Sequence, residues 1–237
     1  MNTPYAWQTT TARASGALFD EGLRQHMLQV YNYMGIGLVV TGLVAFFVAS
    51  TPALYVPIFQ TPLKWVVMLA PLAFIFFWFR IERMSAASAR TAFFAFSAVM
   101  GLSLASVFLV FTGASIARTF FITATMFGAT SLYGYTTKRD LSRFGSFLVM
   151  GLIGIVIASL VNIFIGSSAL QFAISVIGVV VFTGLTAWDV QRIKSEYAEY
   201  SSAGELLAKG AIMGALSLYL NFINLFTSLL HLFGNRE

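Results

Sequence analysis

The chain has 237 residues, of which 58% are hydrophobic, 10% are charged and 24 are phenylalanine. A composition this apolar excludes an ordinary soluble domain and indicates a protein built from membrane-spanning segments. Cysteine is absent, which excludes disulfides, thiolate nucleophiles and sulfur-ligated metals. The net charge of +5 does not indicate nucleic-acid binding, because the basic residues fall at the edges of apolar segments, where membrane topology explains them.

The N-terminal segment, residues 1–30, is expected to lie in the cytoplasm. Its first 15 residues are polar and short of core-forming side chains, so we expect them to be frayed. The segment lacks the early apolar core and the cleavage site of a signal peptide. From Ala17 to Tyr31 the pattern indicates a juxtamembrane helix, with Asp20 and Glu21 near its start, where the helix dipole favours acids.

Seven apolar stretches follow, each of spanning length and almost free of charged residues, and we predict that all seven are transmembrane helices. Their limits are Tyr31–Ser50, Leu63–Phe79, Thr91–Phe111, Thr119–Tyr135, Phe144–Ile165, Leu170–Trp188 and Gly210–Phe233. Pro52, Pro57 and Pro62 in the first connection predict a non-helical segment there, and Pro71 predicts a kink in the second span.

The basic residues set the orientation through the positive-inside rule. With a cytoplasmic N-terminus, eleven of the 14 fall on the inner side: Arg13, Arg24, Arg80, Arg83, Arg90, Lys138, Arg139, Arg143, Arg192, Lys194 and Lys209. Three fall outside: Lys64, Arg118 and Arg236. This asymmetry requires an odd number of spans. We therefore predict a membrane domain at 31–233 and a short outer C-terminal tail at 234–237.

The seventh span carries its small and polar residues on one face. They recur at steps of four, three, four, three and four: Gly210, Gly214, Ser217, Asn221, Asn224 and Ser228. Such spacing gives one continuous stripe on an α-helix. Unpaired amides are costly in hydrocarbon, and glycines four apart allow close helix packing, so the pattern predicts a helix in the interior of the bundle. The alternative is that these residues form an ordinary helix-packing face with no functional role.

Asp189 is the carboxylate nearest to membrane depth, at the inner end of the sixth span, where the helix dipole disfavours an anion. It needs a cation or a hydrogen-bond donor. Arg192 or Lys194 could supply the charge if Asp189 is simply interfacial. Arg80, at the end of the second span, could instead pair with it, or could only anchor the helix at the interface. Asn221 is predicted to lie roughly 10 Å deep and Asp189 roughly 5 Å, a gap that side chains and helix tilt can close.

No catalytic constellation is visible in the sequence. His26 and His231 fall on opposite sides of the predicted membrane, and phosphate-binding and zinc motifs are absent. A single acid near membrane depth excludes an intramembrane aspartyl protease. We therefore predict a protein that is not an enzyme and has no organic cofactor.

Three stretches resemble the Bax inhibitor-1 family, also called transmembrane Bax inhibitor motif proteins. They are DEGLRQHMLQVYNYMGIGL near the start, TAWDVQRIK at the end of the sixth span, and GALSLYLNFINLF in the seventh. The first is similar to the bacterial branch. The resemblance implies an all-α integral membrane fold in the bacterial inner membrane, with the seventh helix central and six packed around it. It also implies a pH-sensitive calcium leak channel.

The family gate consists of an aspartate in the sixth span, an aspartate in the seventh and an arginine from the second. The resemblance assigns these roles to Asp189, Asn221 and Arg80, so the second aspartate is replaced by an amide. Two close carboxylates share a proton and form a pH switch, whereas Asn221 cannot titrate but can donate to ionised Asp189. Calcium keeps only Asp189 as a charged ligand. We therefore expect a gate biased to one state and weakly dependent on pH.

Two other functions stay open at this stage. Some bacterial relatives bind and restrain a membrane-bound AAA protease, and eukaryotic relatives are tied to survival under stress. Such a role would use the termini or the lipid-facing surface. A scaffold with a vestigial channel is the third reading. The expected partners are the lipid bilayer, calcium or another cation, and in the second reading the protease.

Overall fold

The computed structural model describes residues 5–78, 84–201 and 203–236. Its elements are eight α-helices: α1 Tyr5–Ser50, α2 Pro52–Phe59, α3 Leu63–Trp78, α4 Ala86–Val110, α5 Gly113–Thr136, α6 Ser142–Ile165, α7 Ser168–Tyr200 and α8 Gly204–Phe233. Strand-like pairing in these ranges is limited to one isolated bridge, between Phe111 and Arg236. Arg80 lies outside the described residues.

Five of these helices are long and apolar enough to cross a membrane, namely α1 from Leu18 onward, α4, α6, α7 and α8. A sixth candidate combines α2 with the first half of α3, bent by 92°. The predicted fourth span, Thr119–Tyr135, corresponds to α5, which is 24 residues long but rich in serine and threonine and therefore less apolar. The chain is a multi-pass helical membrane protein with five to six candidate spans.

Two local predictions are wrong. Residues 5–15, expected to be frayed, belong to α1, because no proline or glycine interrupts the chain between Tyr5 and Ser15. The first connection contains the helix α2. Pro52 is at its first position, where a missing N–H leaves no helical bond unmade, and Pro57 is tolerated in a helix of only eight residues.

Helix α8 packs against α1, α4, α5 and α7 and has fourteen buried residues. One of them, Tyr219, is fully buried and joins three helices. Its hydroxyl lies 2.6 Å from Thr41 Oγ1 on α1, and the same Thr41 oxygen lies 2.8 Å from the backbone oxygen of Ser97 on α4. The rings of Phe93 and Phe96 meet the Tyr219 ring edge-on. The phenol is thus hydrogen-bonded at the end of an otherwise apolar contact, as burial requires.

The two ends of the bundle are tied by different contacts. At one end Gln191 of α7 donates to Arg139 O at 2.8 Å and accepts from Leu141 N at 2.8 Å, so the α5–α6 turn lies against α7. At the other end Asn235 O accepts from Thr112 N at 3.0 Å, which fixes the C-terminal tail to the α4–α5 turn. The tail and the basic α5–α6 turn are therefore at opposite ends.

Helices α5 and α7 approach each other closely at Gly134 of α5. A Cβ on Gly134 would collide with the backbone of Ala187. A Cβ on Gly128, two turns earlier on the same helix, would meet no described atom within 4 Å.

We predict that Gly134→Ala destabilises the protein by about 1–3 kcal/mol, because backbone cannot move aside as a flexible side chain can. Gly128→Ala is the matched control and should be neutral or slightly stabilising, since alanine favours the helix. Unfolding in detergent, followed by circular dichroism, measures both. Equal stability of the two variants would contradict the close approach.

Candidate functional site

The carboxylate of Asp189 is buried between α7 and α8, with 4% of the residue exposed. Asn221 Nδ2 on α8 donates to Asp189 Oδ2 at 2.7 Å. Arg192 Nη2, one turn further along α7, lies 2.8 Å from Asp189 Oδ1. A buried carboxylate is costly unless it is paired and hydrogen-bonded; here Oδ2 accepts the hydrogen bond, while Oδ1 has the ion pair but no hydrogen bond from a described residue. We call Asp189, Asn221 and Arg192 the polar cluster.

Arg192 is held in place by both helices. Its Nη2 donates to Ser217 Oγ of α8 at 3.0 Å, and its guanidinium carbon lies 5.0 Å from the centre of the Trp188 ring. Its Nε is 3.5 Å from Glu196 Oε1, a weaker contact at a half-exposed position. The arginine therefore cannot leave Asp189 without also breaking its contact with α8.

The polar cluster faces a cavity of about 550 Å³ that lies among α3, α6, α7 and α8. Most of its wall is apolar, and its polar lining consists of the cluster together with Ser159, Ser217 and Asn224. We call it the inner cavity. A second cavity of about 680 Å³, the basic cavity, lies at the α5–α6 turn. Trp188 and Arg192 line both, so these two side chains form the partition between them.

The polar stripe of α8 divides between two surroundings. Ser217 and Asn224 line the inner cavity beside Asn221, and Asn224 Nδ2 donates to Leu220 O of its own helix at 2.8 Å. Ser228 does not line that cavity; its hydroxyl lies against Gly178 of α7. The assignment of Ser228 to the pore stripe stays a prediction, with α7 packed against α8 at that level.

The two glycines of the stripe also differ. A Cβ on Gly214 would lie 2.9 Å from the side chain of Ile193, so this glycine permits close packing of α8 on α7. A Cβ on Gly210 would meet no described atom within 4 Å, so close packing at Gly210 stays a prediction.

The sequence left three cations open as partners for Asp189, and the structure brings Arg192 to it. Lys194 turns to the other side of α7, where its Nζ donates to Tyr135 O at 3.2 Å. Arg80 is not described, so its contribution stays a prediction. The threonine–tyrosine contact between Thr41 and Tyr219 was missed, although a lone threonine in an apolar span is a usable signal for an interior hydrogen bond.

Calcium has little to bind in this arrangement. In the part of the chain that the structure describes, no group of three or more histidine, aspartate or glutamate side chains could hold a metal ion. Calcium takes six to eight oxygen ligands, whereas Asp189 Oδ2 already accepts from Asn221 and Oδ1 faces the Arg192 guanidinium. A cation passing this point would first have to displace Arg192.

The helices and the buried polar cluster define a multi-pass α-helical membrane protein with an ion pair in its interior. Residues 23–237 match the family model described as inhibitor of apoptosis-promoting Bax1. The chain therefore belongs to the Bax inhibitor-1 family, as the motifs in its sixth and seventh predicted spans indicated.

Several bacterial relatives match along nearly the whole chain. The inner membrane protein YbhL of Escherichia coli K12 is 48% identical over 219 residues, covering 91% of this chain and 94% of that protein. A protein of Caulobacter vibrioides is 46% identical, covering 100% and 98%. A membrane protein of Streptococcus pyogenes serotype M1 is 33% identical, covering 92% and 96%. These relatives support a multi-pass protein of the inner membrane.

We predict that Asn221→Leu destabilises the protein by about 1.5–3 kcal/mol, because it removes a hydrogen bond to a buried charge. Asn224→Leu is the matched control: its amide bonds only its own helix, so the loss should be smaller. Chemical unfolding in detergent micelles measures both. The pairing at Asp189 would be contradicted if Asn224→Leu were as destabilising as Asn221→Leu.

Proposed function

We propose that the protein is a cation leak pathway of the bacterial inner membrane, held closed by the polar cluster. Calcium is the cargo that the family resemblance implies. The observation that carries the proposal is the position of Arg192 and Trp188, which separate the inner cavity from the basic cavity. Arg192 is held there by Asp189 and Ser217, so loss of the ion pair would join the two cavities.

The proposed arrangement has seven spans, with α5 counted among them and α8 in the centre. The buried positions of α5 are largely small or hydroxylated, with Ser115, Thr119 and Thr123 at four-residue steps and Ser131 two steps further on, while its phenylalanines at 120 and 121 are exposed. A length of 24 residues is about 36 Å, enough to cross the hydrocarbon core. With seven spans the basic residues favour a cytoplasmic N-terminus and an outer C-terminus.

The closed state gains its stability from charge neutralisation inside the bundle. Asp189 needs Arg192 because an unpaired carboxylate is costly when buried, whereas Arg192 is partly exposed and is held in place by Asp189 and Ser217. Opening requires that both are rehydrated at once, as water enters from the basic cavity. Arg80, the arginine that the resemblance assigns to the gate, would be a second cation on the same carboxylate.

The amide at position 221 removes one titrating group from this latch. It donates to Asp189 at 2.7 Å, as the protonated member of a carboxyl pair would. Because an amide does not titrate, the hydrogen-bonded pair between α7 and α8 has one acidic group instead of two, and no proton is shared between them.

We predict that Asn221→Asp makes the calcium leak steeply pH-dependent, since two adjacent carboxylates cannot both ionise cheaply and one proton becomes shared. The parent protein should vary little between pH 6 and pH 8. Calcium influx into proteoliposomes that contain a fluorescent indicator measures both. Asn224→Asp, in the same cavity, is the control. Equal, steep pH profiles for parent and Asn221→Asp would refute the assignment.

We further predict that Asp189→Asn and Arg192→Gln raise the leak, because either change breaks the pair that closes the partition. Each 1.4 kcal/mol lost from the closed state raises the open fraction about tenfold. Arg90→Gln removes an exposed cation that lines neither cavity, and it should leave the flux unchanged. If neither variant of the pair leaks more than the parent, the polar cluster is not a latch.

A further inference from the structure

We propose that the protein binds one anionic glycerophospholipid, with the phosphate in the basic cavity and an acyl chain in an apolar groove between α1 and α5. The proposal does not depend on leak activity. It depends on two cavities of opposite character that meet along one edge.

The basic cavity carries four cations, Lys138, Arg139, Arg192 and Lys194, and one acid, Asp140. Arg192 is committed to Asp189, but Lys138 and Arg139 form no ion pair with any other described residue. Hydroxyl groups line the same wall at Ser142, Ser146 and Ser195; those of Ser146 and Ser195 donate to backbone oxygens of their own helices and would have to rotate to reach a phosphate. Lysine, arginine and hydroxyl donors are the groups that bind phosphate oxygens.

Asp140 does not cancel this excess of positive charge. Its Oδ1 accepts from the Ser142 backbone N–H at 2.9 Å, so the carboxylate is directed at its own turn. Hydrogen bonds from the side chain and the backbone of Ser142 hold the pKa of Asp140 below its usual value. With Asp140 ionised, the three cations other than Arg192 still outnumber the acid, and no described residue forms an ion pair with Lys138 or Arg139.

The groove has a volume of about 690 Å³ and is almost entirely apolar. Met27, Met34 and Leu38 of α1 form one side, and Phe120, Ala124 and Phe127 of α5 form the other. Phe222 of α8 also lines it. In a multi-pass membrane protein such a groove between two helices is open to hydrocarbon, and a lipid chain is the apolar occupant at hand.

The two cavities adjoin, as a phospholipid requires. On α1, Leu23 lines the basic cavity and the next residue, Arg24, lines the groove. On α5, Gly134 lines the basic cavity and Tyr135 the groove. Lys194 lies at this edge, 5.0 Å above the Tyr135 ring and bonded to its carbonyl. A free phosphate would use only the first cavity, and an uncharged chain only the second.

Basic residues at this end of the bundle are expected from topology alone, so the test needs a control with the same loss of charge. Arg90 and Arg143 are exposed, lie on helices that begin at this end, and line neither cavity. The matched pair is therefore Lys138→Gln with Arg139→Gln against Arg90→Gln with Arg143→Gln.

Native mass spectrometry of the detergent-solubilised protein, titrated with phosphatidylglycerol, tests the headgroup site. The parent should retain one phosphatidylglycerol and release phosphatidylcholine. Two phosphate-facing cations at roughly 1 kcal/mol each correspond to about 30-fold weaker binding in the Lys138/Arg139 variant. The Arg90/Arg143 variant should bind as the parent does. Equal losses in both variants, equal retention of phosphatidylcholine, or displacement of the lipid by millimolar inorganic phosphate would overturn the proposal.

Substitutions at two glycines test the acyl-chain groove separately from the headgroup site. Gly128 lines the groove, and a Cβ there would meet no described atom within 4 Å, so Gly128→Leu fills the groove without distorting α5. Gly154 on α6 has the same open space and lines none of the three cavities above, which makes Gly154→Leu the control. Gly128→Leu should lower retention of phosphatidylglycerol at least about tenfold, and Gly154→Leu should not. Unchanged retention in Gly128→Leu would overturn the two-part site.

Discussion

The structure depends on one buried charge. Asp189 lies between α7 and α8 with 4% of the residue exposed, and a carboxylate in that position is tolerated only because Asn221 and Arg192 each occupy one of its oxygens. This requirement fixes the rotation of α8 against α7 and holds Arg192 beside Ser217. The same contacts close the wall between the inner cavity and the basic cavity, so the neutralisation of Asp189 and the proposed gating depend on the same atoms.

The contact between α7 and α8 could be predicted in part from the sequence. The three- and four-residue spacing of the polar stripe on α8 indicated that Asn221 faces other helices rather than lipid. The predicted depth of Asp189 indicated that its side chain could reach Asn221. Spacing alone could not choose among Arg192, Lys194 and Arg80 as the cation, because that choice depends on how α5 draws Lys194 to Tyr135. Nor could spacing separate Gly214 from Gly210, since helix crossing determines where α7 and α8 touch.

The span count was harder to predict, for a physical reason. Helix α5 turns its hydroxyl groups toward neighbouring helices, so its sequence is less apolar than that of α6, which exposes most of its surface to lipid. Hydropathy measures the average of both faces, so a helix with a hydroxylated buried face scores lower than a helix that is apolar all round. The proline-rich first connection was predicted to be non-helical but contains α2. Prolines that exclude a long helix still permit a helix of two turns.

The proposed lipid site and the proposed gate share one wall. Lys138, Arg139 and Lys194 at the basic cavity would create a positive field beside Arg192 that opposes the entry of a cation, and an anionic headgroup would reduce it. Because the chain has no native cysteine, Asn224→Cys places a single thiol in the inner cavity without touching Arg192. The most direct test is its rate of labelling by a membrane-impermeant thiol reagent, applied to each face of the membrane in turn. We predict slow labelling from the cytoplasmic face with Arg192 intact and labelling at least about tenfold faster once Arg192→Gln is added. Equal rates in the two backgrounds would contradict a partition held by the polar cluster.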